Sequence, residues 1–353
     1  MSRFLSNRFT SFDAYIPGEQ PSDMEYIKLN TNESPFQLPE SITRAAESET
    51  DKLRLYPDPD STRLVGKLSE CYSVRPENVI VGNGSDELLA FSFHAFFEKG
   101  VVFPDITYGF YPVYAKLYNI PYKEIPLKDD FSVDINAYTG IGSNIIIANP
   151  NAPTGIVLDI DDVEKIVKSN PGFIVVVDEA YIDFGGKSAV QLTQKYDNLL
   201  VIHTFSKSRS LAGARLGFAI GPAPVIEDLT RMKYSFNPYN VNRLTQIMGE
   251  AAVDEEAFFV EKRREIIETR EKTVKRLNLM NFILTNSSAN FLFGKHPDIN
   301  GFDLYSKLKD MGILVRQWNR PRISDYVRIT IGTEEQMDTL IAAIDKILEE
   351  MRK

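Results

Sequence analysis

Six short apolar runs, at residues 79–81, 101–103, 145–148, 173–177, 199–203 and 216–220, alternate with stretches of helical periodicity. Unbroken runs rich in β-branched residues suit strands buried on both faces. Their alternation with helices predicts an α/β fold, a mostly parallel sheet sandwiched by helices. Polar or glycine-rich segments follow nearly every run. Ligands of such sheets bind beyond the carboxyl ends of the strands, so motifs remote in sequence are expected to converge on one crevice.

After about residue 225 the pattern changes. A long charged helix over 257–277 is expected, leading to residues 290–293, a helix over 302–311 and then strands near 313–315 and 327–331. A last helix opens at Thr333, which with Gln336 has the spacing of a capping box. This predicts a smaller α+β domain. The segment to about residue 45 is rich in Pro, Asn and Ser and has no core of its own, so it is expected to lie against that domain. The expected division is a large domain of residues 46–250 and a small one of residues 251–353 with the N-terminal segment 1–45. At 353 residues and 43% hydrophobic, the chain is long enough to bury both cores.

The run at 173–177 leads into Asp178-Glu179-Ala180-Tyr181, Thr204-Phe205-Ser206-Lys207 follows the run at 199–203, and Arg215 stands before Leu216. A lysine can condense with a cofactor aldehyde as a Schiff base. A carboxylate can keep a pyridine nitrogen protonated, so that the ring accepts electrons from a substrate carbanion. Lys207 and Asp178 match these roles in a pyridoxal 5'-phosphate site. The phenol of Tyr181 would reach the ring oxygen, and Ser206 and Arg215 would grip the phosphate. Gly82-Asn83-Gly84-Ser85-Asp86-Glu87 follows a strand and opens a helix, where bare backbone N–H groups can approach a phosphate. Tyr108 could stack on the ring, and Asn149-Pro150-Asn151-Ala152-Pro153-Thr154-Gly155 could aim an asparagine amide into the crevice. Singly, each residue has an ordinary structural explanation. Together they point to one site.

Other chemistry is argued against. A formal charge of −9 and a pI near 5.1 speak against a nucleic-acid surface. His94, His203 and His296 are scattered without ligand spacing, so no metal is expected. Cys71, the single cysteine, has no partner for an intrachain disulfide and is expected to pack in a helix near 64–72, in a reducing compartment. No apolar leader lies in residues 1–10 and no stretch approaches the roughly 20 apolar residues of a membrane span, so a cytoplasmic protein is expected.

With Leu29-Asn30-Thr31-Asn32-Glu33, Tyr56-Pro57-Asp58-Pro59 and Val327-Arg328-Ile329-Thr330-Ile331-Gly332, these motifs resemble the fold type I aminotransferases, most closely the histidinol-phosphate aminotransferase family. The likeness runs from about Tyr15 to the last helix. It implies Lys207 as the Schiff-base lysine, Asp178 as the pyridinium partner, Tyr181 as donor to the ring oxygen and Tyr108 as the stacking aromatic. It further implies Ser85, Asp86, Ser206 and Arg215 as the phosphate cup, and Tyr56 reaching the cofactor phosphate of a second subunit, hence a homodimer with shared sites. Tyr15, Asn32, Arg316 and Arg328 would contact substrate. One departure is Ala152, where the family usually has asparagine before Pro-Thr-Gly; either Asn151 or Asn149 supplies that amide, or Tyr181 carries the contact alone. The implied reaction is transamination between L-histidinol phosphate and 2-oxoglutarate, with Lys207 moving the proton. An aromatic amino-acid aminotransferase or a threonine-phosphate decarboxylase shares these motifs and would differ around Tyr15, Tyr239, Asn240, Arg316 and Arg328. A catalytically silent regulator of the same fold would have no reason to keep lysine, aspartate and tyrosine in register.

Overall fold

The computed structural model describes residues 2–6, 9 and 14–352. The stretch read as lacking an apolar leader therefore lies partly outside the described residues. Seven strands form the main sheet: β2 (Val79–Asn83), β3 (Val101–Pro104), β4 (Tyr122–Ile125), β5 (Asn144–Ala148), β6 (Val175–Asp178), β7 (Leu199–Thr204) and β8 (Leu216–Ile220). Their order is β2-β8-β7-β6-β5-β3-β4. All neighbours pair in parallel except β8, which is antiparallel to both β2 and β7.

Successive strand residues point to opposite faces, and the two faces bury different cores. Ile80, Phe103, Ile146, Val176, Ile202 and Ala219 pack under α3 (Ser85–Phe96), α4 (Phe110–Leu117) and α6 (Ala223–Phe236). Val81, Val102, Ile147, Val177, Val201 and Phe218 pack under α2 (Thr62–Tyr72), α5 (Ile160–Ser169), α7 (Arg243–Asp254) and the start of α8 (Glu256–Leu279).

The C-terminal part has its own core around Phe291, Leu304, Ile329, Leu340 and Ile344. It is built on β10 (Phe291–Lys295) and β13 (Val327–Thr330), which lie at the centre of a four-stranded antiparallel sheet between β9 (Ile283–Leu284) and β12 (Arg316–Gln317). α9 (Gly301–Asp310) and α10 (Glu334–Met351) cover it. Both halves of the Thr333–Gln336 capping box are formed at the start of α10.

Four local readings change. β4 was not anticipated, because Tyr122, Lys123 and Glu124 lie exposed on a sheet edge and carry no apolar run. The strand expected at 313–315 is β11 (Ile313–Leu314), which pairs in parallel with β1 (Ile27–Lys28), and β12, which was not expected, follows it and pairs with β13. The N-terminal segment is shared, since β1 joins β11 whereas α1 (Glu40–Glu47) packs on α7 and places Ile42 in the core of the main sheet. Cys71 does sit on a helix, α2, but on its exposed side rather than in a packed position.

Candidate active site

The parallel strands β5, β6 and β7 end at one edge of the sheet, and the short connection from β7 turns β8 back against it. Thr204 at the end of β7 pairs with Gly217, and Asn83 at the end of β2 pairs with Leu216, so Arg215 reaches the edge where α3 begins. Reversal is what an eleven-residue link allows, because a parallel return needs a crossover of a dozen or more residues.

At this edge lies a cavity of about 440 Å³ lined by Ser85, Asp86, Tyr108, Asp178, Tyr181, Ser206, Lys207 and Arg215, with Gln20, Thr31, Glu33, Ala152 and Thr204 also on its wall. Eight of the residues singled out from sequence are thus brought together. Lys207 Nζ donates to the Thr31 carbonyl at 3.1 Å and lies 5.8 Å from the Tyr181 ring centroid. Among the described residues no carboxylate lies within ion-pair distance of it. Asp178 is buried; burial pushes its carboxyl up to about 6, while hydrogen bonds from the Tyr111 hydroxyl at 2.9 Å and the Ala180 N–H at 3.2 Å oppose that rise. Asp86 receives both the Tyr108 hydroxyl and Arg215 Nη2 at 2.8 Å.

The α3 N-terminus is built for close approach. Gly84 has φ +77°, and a Cβ there would lie 2.6 Å from Arg215 Nη2. A Cβ on Gly217 would lie 2.4 Å from the Ser85 nitrogen. Only bare backbone fits between β8 and the first turn of α3.

A second cavity of about 690 Å³ adjoins the first, sharing Lys207, Tyr181, Tyr108 and Arg215 with it, and is lined further by Tyr15, Asn32, Arg316, Trp318, Arg320 and Arg328. Arg328 donates from Nη2 to the Asn30 carbonyl at 3.0 Å, but its Nε is buried without a partner, and burial pulls its pKa down from the ordinary value. Arg316 donates to the Ile16 and Pro17 carbonyls at 3.2 Å, and Tyr15 stacks on Phe110 at 4.2 Å. Asn32, in a left-handed conformation, donates its amide to the Tyr181 hydroxyl at 2.9 Å.

Five residues named from the sequence, Asn149, Asn151, Tyr56, Tyr239 and Asn240, do not line the cavities of this chain. Asn151 spends its amide inside the loops, donating to the Ile106 carbonyl at 2.9 Å and to Thr154 Oγ1 at 3.0 Å while accepting from Thr107 Oγ1. Asn149 is likewise consumed by both backbone groups of Leu158. The assignment of Asn151 to the cofactor is therefore corrected: Ala152, not an amide, meets the cavity at that turn. Tyr56 lies 76% exposed and stacks on Tyr239 at 4.5 Å. Asn240 is buried against Glu87 and Asn83, away from the outer cavity. Sequence reasoning gave no role to Tyr111, Thr31, Trp318 and Arg320; Tyr111, three residues after Tyr108, and Thr31, inside the motif at 29–33, had a signal, whereas Trp318 and Arg320 had none.

Residues 24–344 match the family model of aminotransferase class I and II. The chain is 50% identical over 353 residues, 99% of its own length and 100% of the relative's, to a histidinol-phosphate aminotransferase of Brachyspira hyodysenteriae. It is 49% identical to that of Marinomonas sp., with 98% of this chain and 99% of the relative covered. The histidinol-phosphate aminotransferase of Sinorhizobium meliloti, solved in complex with pyridoxal-5'-phosphate, superposes with a TM-score of 0.85 at 21% identity, over 93% of this chain and 92% of that one. Matched end to end at half identity, with the fold in common as well, the chain belongs to the class I and II aminotransferases.

Proposed function

We propose that the protein transfers the amino group of L-histidinol phosphate to 2-oxoglutarate, giving imidazole acetol phosphate and L-glutamate in histidine biosynthesis, with pyridoxal 5'-phosphate in the inner cavity. The residues fit that cofactor. The glycine-built α3 N-terminus with Ser85, Ser206 and Arg215 is a donor set for a phosphate, and a Cβ at Gly84 or Gly217 would fill the cradle. Asp178 suits a protonated ring nitrogen, because a positive partner offsets the cost of its buried charge. Tyr108 supplies a ring face.

When bound, the cofactor supplies an electron sink for the substrate carbon. The chain supplies everything else. Lys207 is the group that takes the proton from the amine-bearing carbon and returns it. Tyr181, oriented by the Asn32 amide, donates to the ring oxygen. Asp178 holds the proton on the ring nitrogen.

The observation that carries the substrate reading is Arg328: half-buried on the wall of the outer cavity, with its Nε buried and unpaired, and without a carboxylate partner among the described residues. With Arg316 on the same wall, it suits a phosphate dianion in one half-reaction and a carboxylate in the other. The stacked Tyr15 and Phe110 and the nearby Trp318 favour an aromatic amino acid as the second reading.

The same reading includes a homodimer. Leu53, Leu55, Tyr56 and Tyr239 are exposed together with no cover in the single chain, and a second copy would place Tyr56 beside its partner's phosphate cup. It also includes the division into a large domain of residues 46–250 and a small one of residues 251–353, with the N-terminal segment shared between them, and a cytoplasmic location. No helix among the described residues is long and apolar enough to cross a membrane. The test is a half-reaction screen: histidinol phosphate should bleach the visible band of the enzyme, and borohydride should fix the cofactor to Lys207. Bleaching by phenylalanine or tyrosine with histidinol phosphate inert would favour the second reading.

A further inference from the structure

Tyr111 carries no role in the chemistry described so far, yet it is wholly buried and its hydroxyl is donated to Asp178 Oδ2 at 2.9 Å. Its ring is held from three sides, by Phe103 at 5.8 Å, Tyr108 at 5.7 Å and Phe93 at 6.2 Å. Beside it on the same helix Tyr114 donates to the Asp86 carbonyl at 3.0 Å, and just before that helix Tyr108 donates to the Asp86 carboxylate. One segment thus braces both the ring-nitrogen carboxylate and the first turn of α3. Among the described residues Asp178 has one other donor, the Ala180 N–H at 3.2 Å.

We infer that Tyr111 is a positioning residue that fixes the orientation of the Asp178 carboxylate and keeps it ionised toward the cofactor ring nitrogen. The inference rests on the cofactor assignment above. A buried carboxylate with a single backbone donor is free to rotate and gains a proton readily, and a phenol at 2.9 Å opposes both. The hydrogen bond lowers the Asp178 pKa against the burial that raises it, and the tyrosine stays a neutral donor because its own pKa is pushed up. The other charged or titratable groups acting on Asp178 are Asp86 on α3, which opposes ionisation, and His203 on β7, which favours it; Lys207 and Tyr181 share the cavity.

The test is a double-mutant cycle of Tyr111→Phe and Asp178→Asn, read by titration of the cofactor-free enzyme with pyridoxal phosphate and by the pH dependence of the visible band. Phenylalanine keeps the ring that Phe93 and Phe103 hold, and the thermal midpoint of the cofactor-free form checks the fold. Tyr111→Phe should weaken cofactor binding roughly tenfold to a hundredfold. It should also move the band's pH midpoint upward, because a less firmly protonated ring draws less electron density from the lysine nitrogen. In the Asp178→Asn background the same change should add little, since its target is gone. Unchanged spectra, or effects that simply add, would overturn the inference in favour of a packing role. Wild-type enzyme that binds no pyridoxal phosphate would instead overturn the cofactor assignment itself.

Discussion

Asp178 is the residue at which burial and function pull in opposite directions. Its carboxyl is raised from 3.8 to about 6 in the cofactor-free chain, so the folded state holds the proton more tightly than the unfolded one. The stability this contributes is fully present below about pH 4 and is lost as pH rises through about 6, an effect of about 3 kcal/mol for a shift of about two units. Asp178→Asn should therefore raise the thermal midpoint of the cofactor-free protein at pH 8 but not at pH 4, while weakening cofactor retention. Equal midpoints for both proteins at pH 8 would count against the buried charge. Wild-type retention should fall as pH drops through about 6, because the ring nitrogen needs the ionised partner. At Arg328 the balance is similar: Arg328→Ala should lower turnover of histidinol phosphate roughly tenfold to a hundredfold, the loss of a charged hydrogen bond of about 1.5–3 kcal/mol. Steady-state rates against histidinol phosphate and phenylalanine decide whether that loss is specific to the phosphate substrate.

Among the elements, the contact of β8 with the start of α3 has the least tolerance. A Cβ at Gly217 meets the Ser85 nitrogen at 2.4 Å and the Gly84 carbonyl carbon at 2.6 Å, both backbone atoms that cannot swing aside. Gly217→Ala should cost roughly 1–3 kcal/mol of stability and loosen the cofactor, with Lys207 and Asp178 untouched. Gly66→Ala on α2 is the contrast, since nothing lies within 4 Å of its Cβ; it should stabilise by up to about 1 kcal/mol in thermal unfolding and leave cofactor affinity alone. The central strands were legible because both their faces are apolar, and α10 because its capping box is local. β4 was not, since an edge strand needs no apolar run, and the reversal of β8 follows from link length and pairing rather than from its own composition.

At the scale of the molecule, the two cavities form where the N-terminal segment, the sheet edge and the C-terminal sheet meet. Lys207 is held by Thr31, Tyr181 by Asn32, and Arg328 by Asn30, so one stretch of the N-terminal segment ties both parts of the chain to the site. Tyr56 lines neither cavity and is exposed. The protein should sediment as a dimer at micromolar concentration, and Tyr56→Phe should weaken cofactor retention from outside its own subunit's cavity. A fully active monomer would contradict both statements.

Residue order alone determined the apolar runs, the polar segments that follow them and the chemistry of Lys207, Asp178, Tyr181 and Arg215, because strand burial and cofactor chemistry each demand particular residue types within a few positions of one another. Tertiary structure alone decided which amides and hydroxyls face the cavities. Asn151 and Tyr111 show the difference. The asparagine, in a motif that suggests a ligand, satisfies its amide within its own loops, whereas the tyrosine, with no role assigned from the sequence, reaches Asp178 from α4. A buried polar group bonds to whatever partner packing brings within about 3 Å, and a linear sequence does not contain that distance.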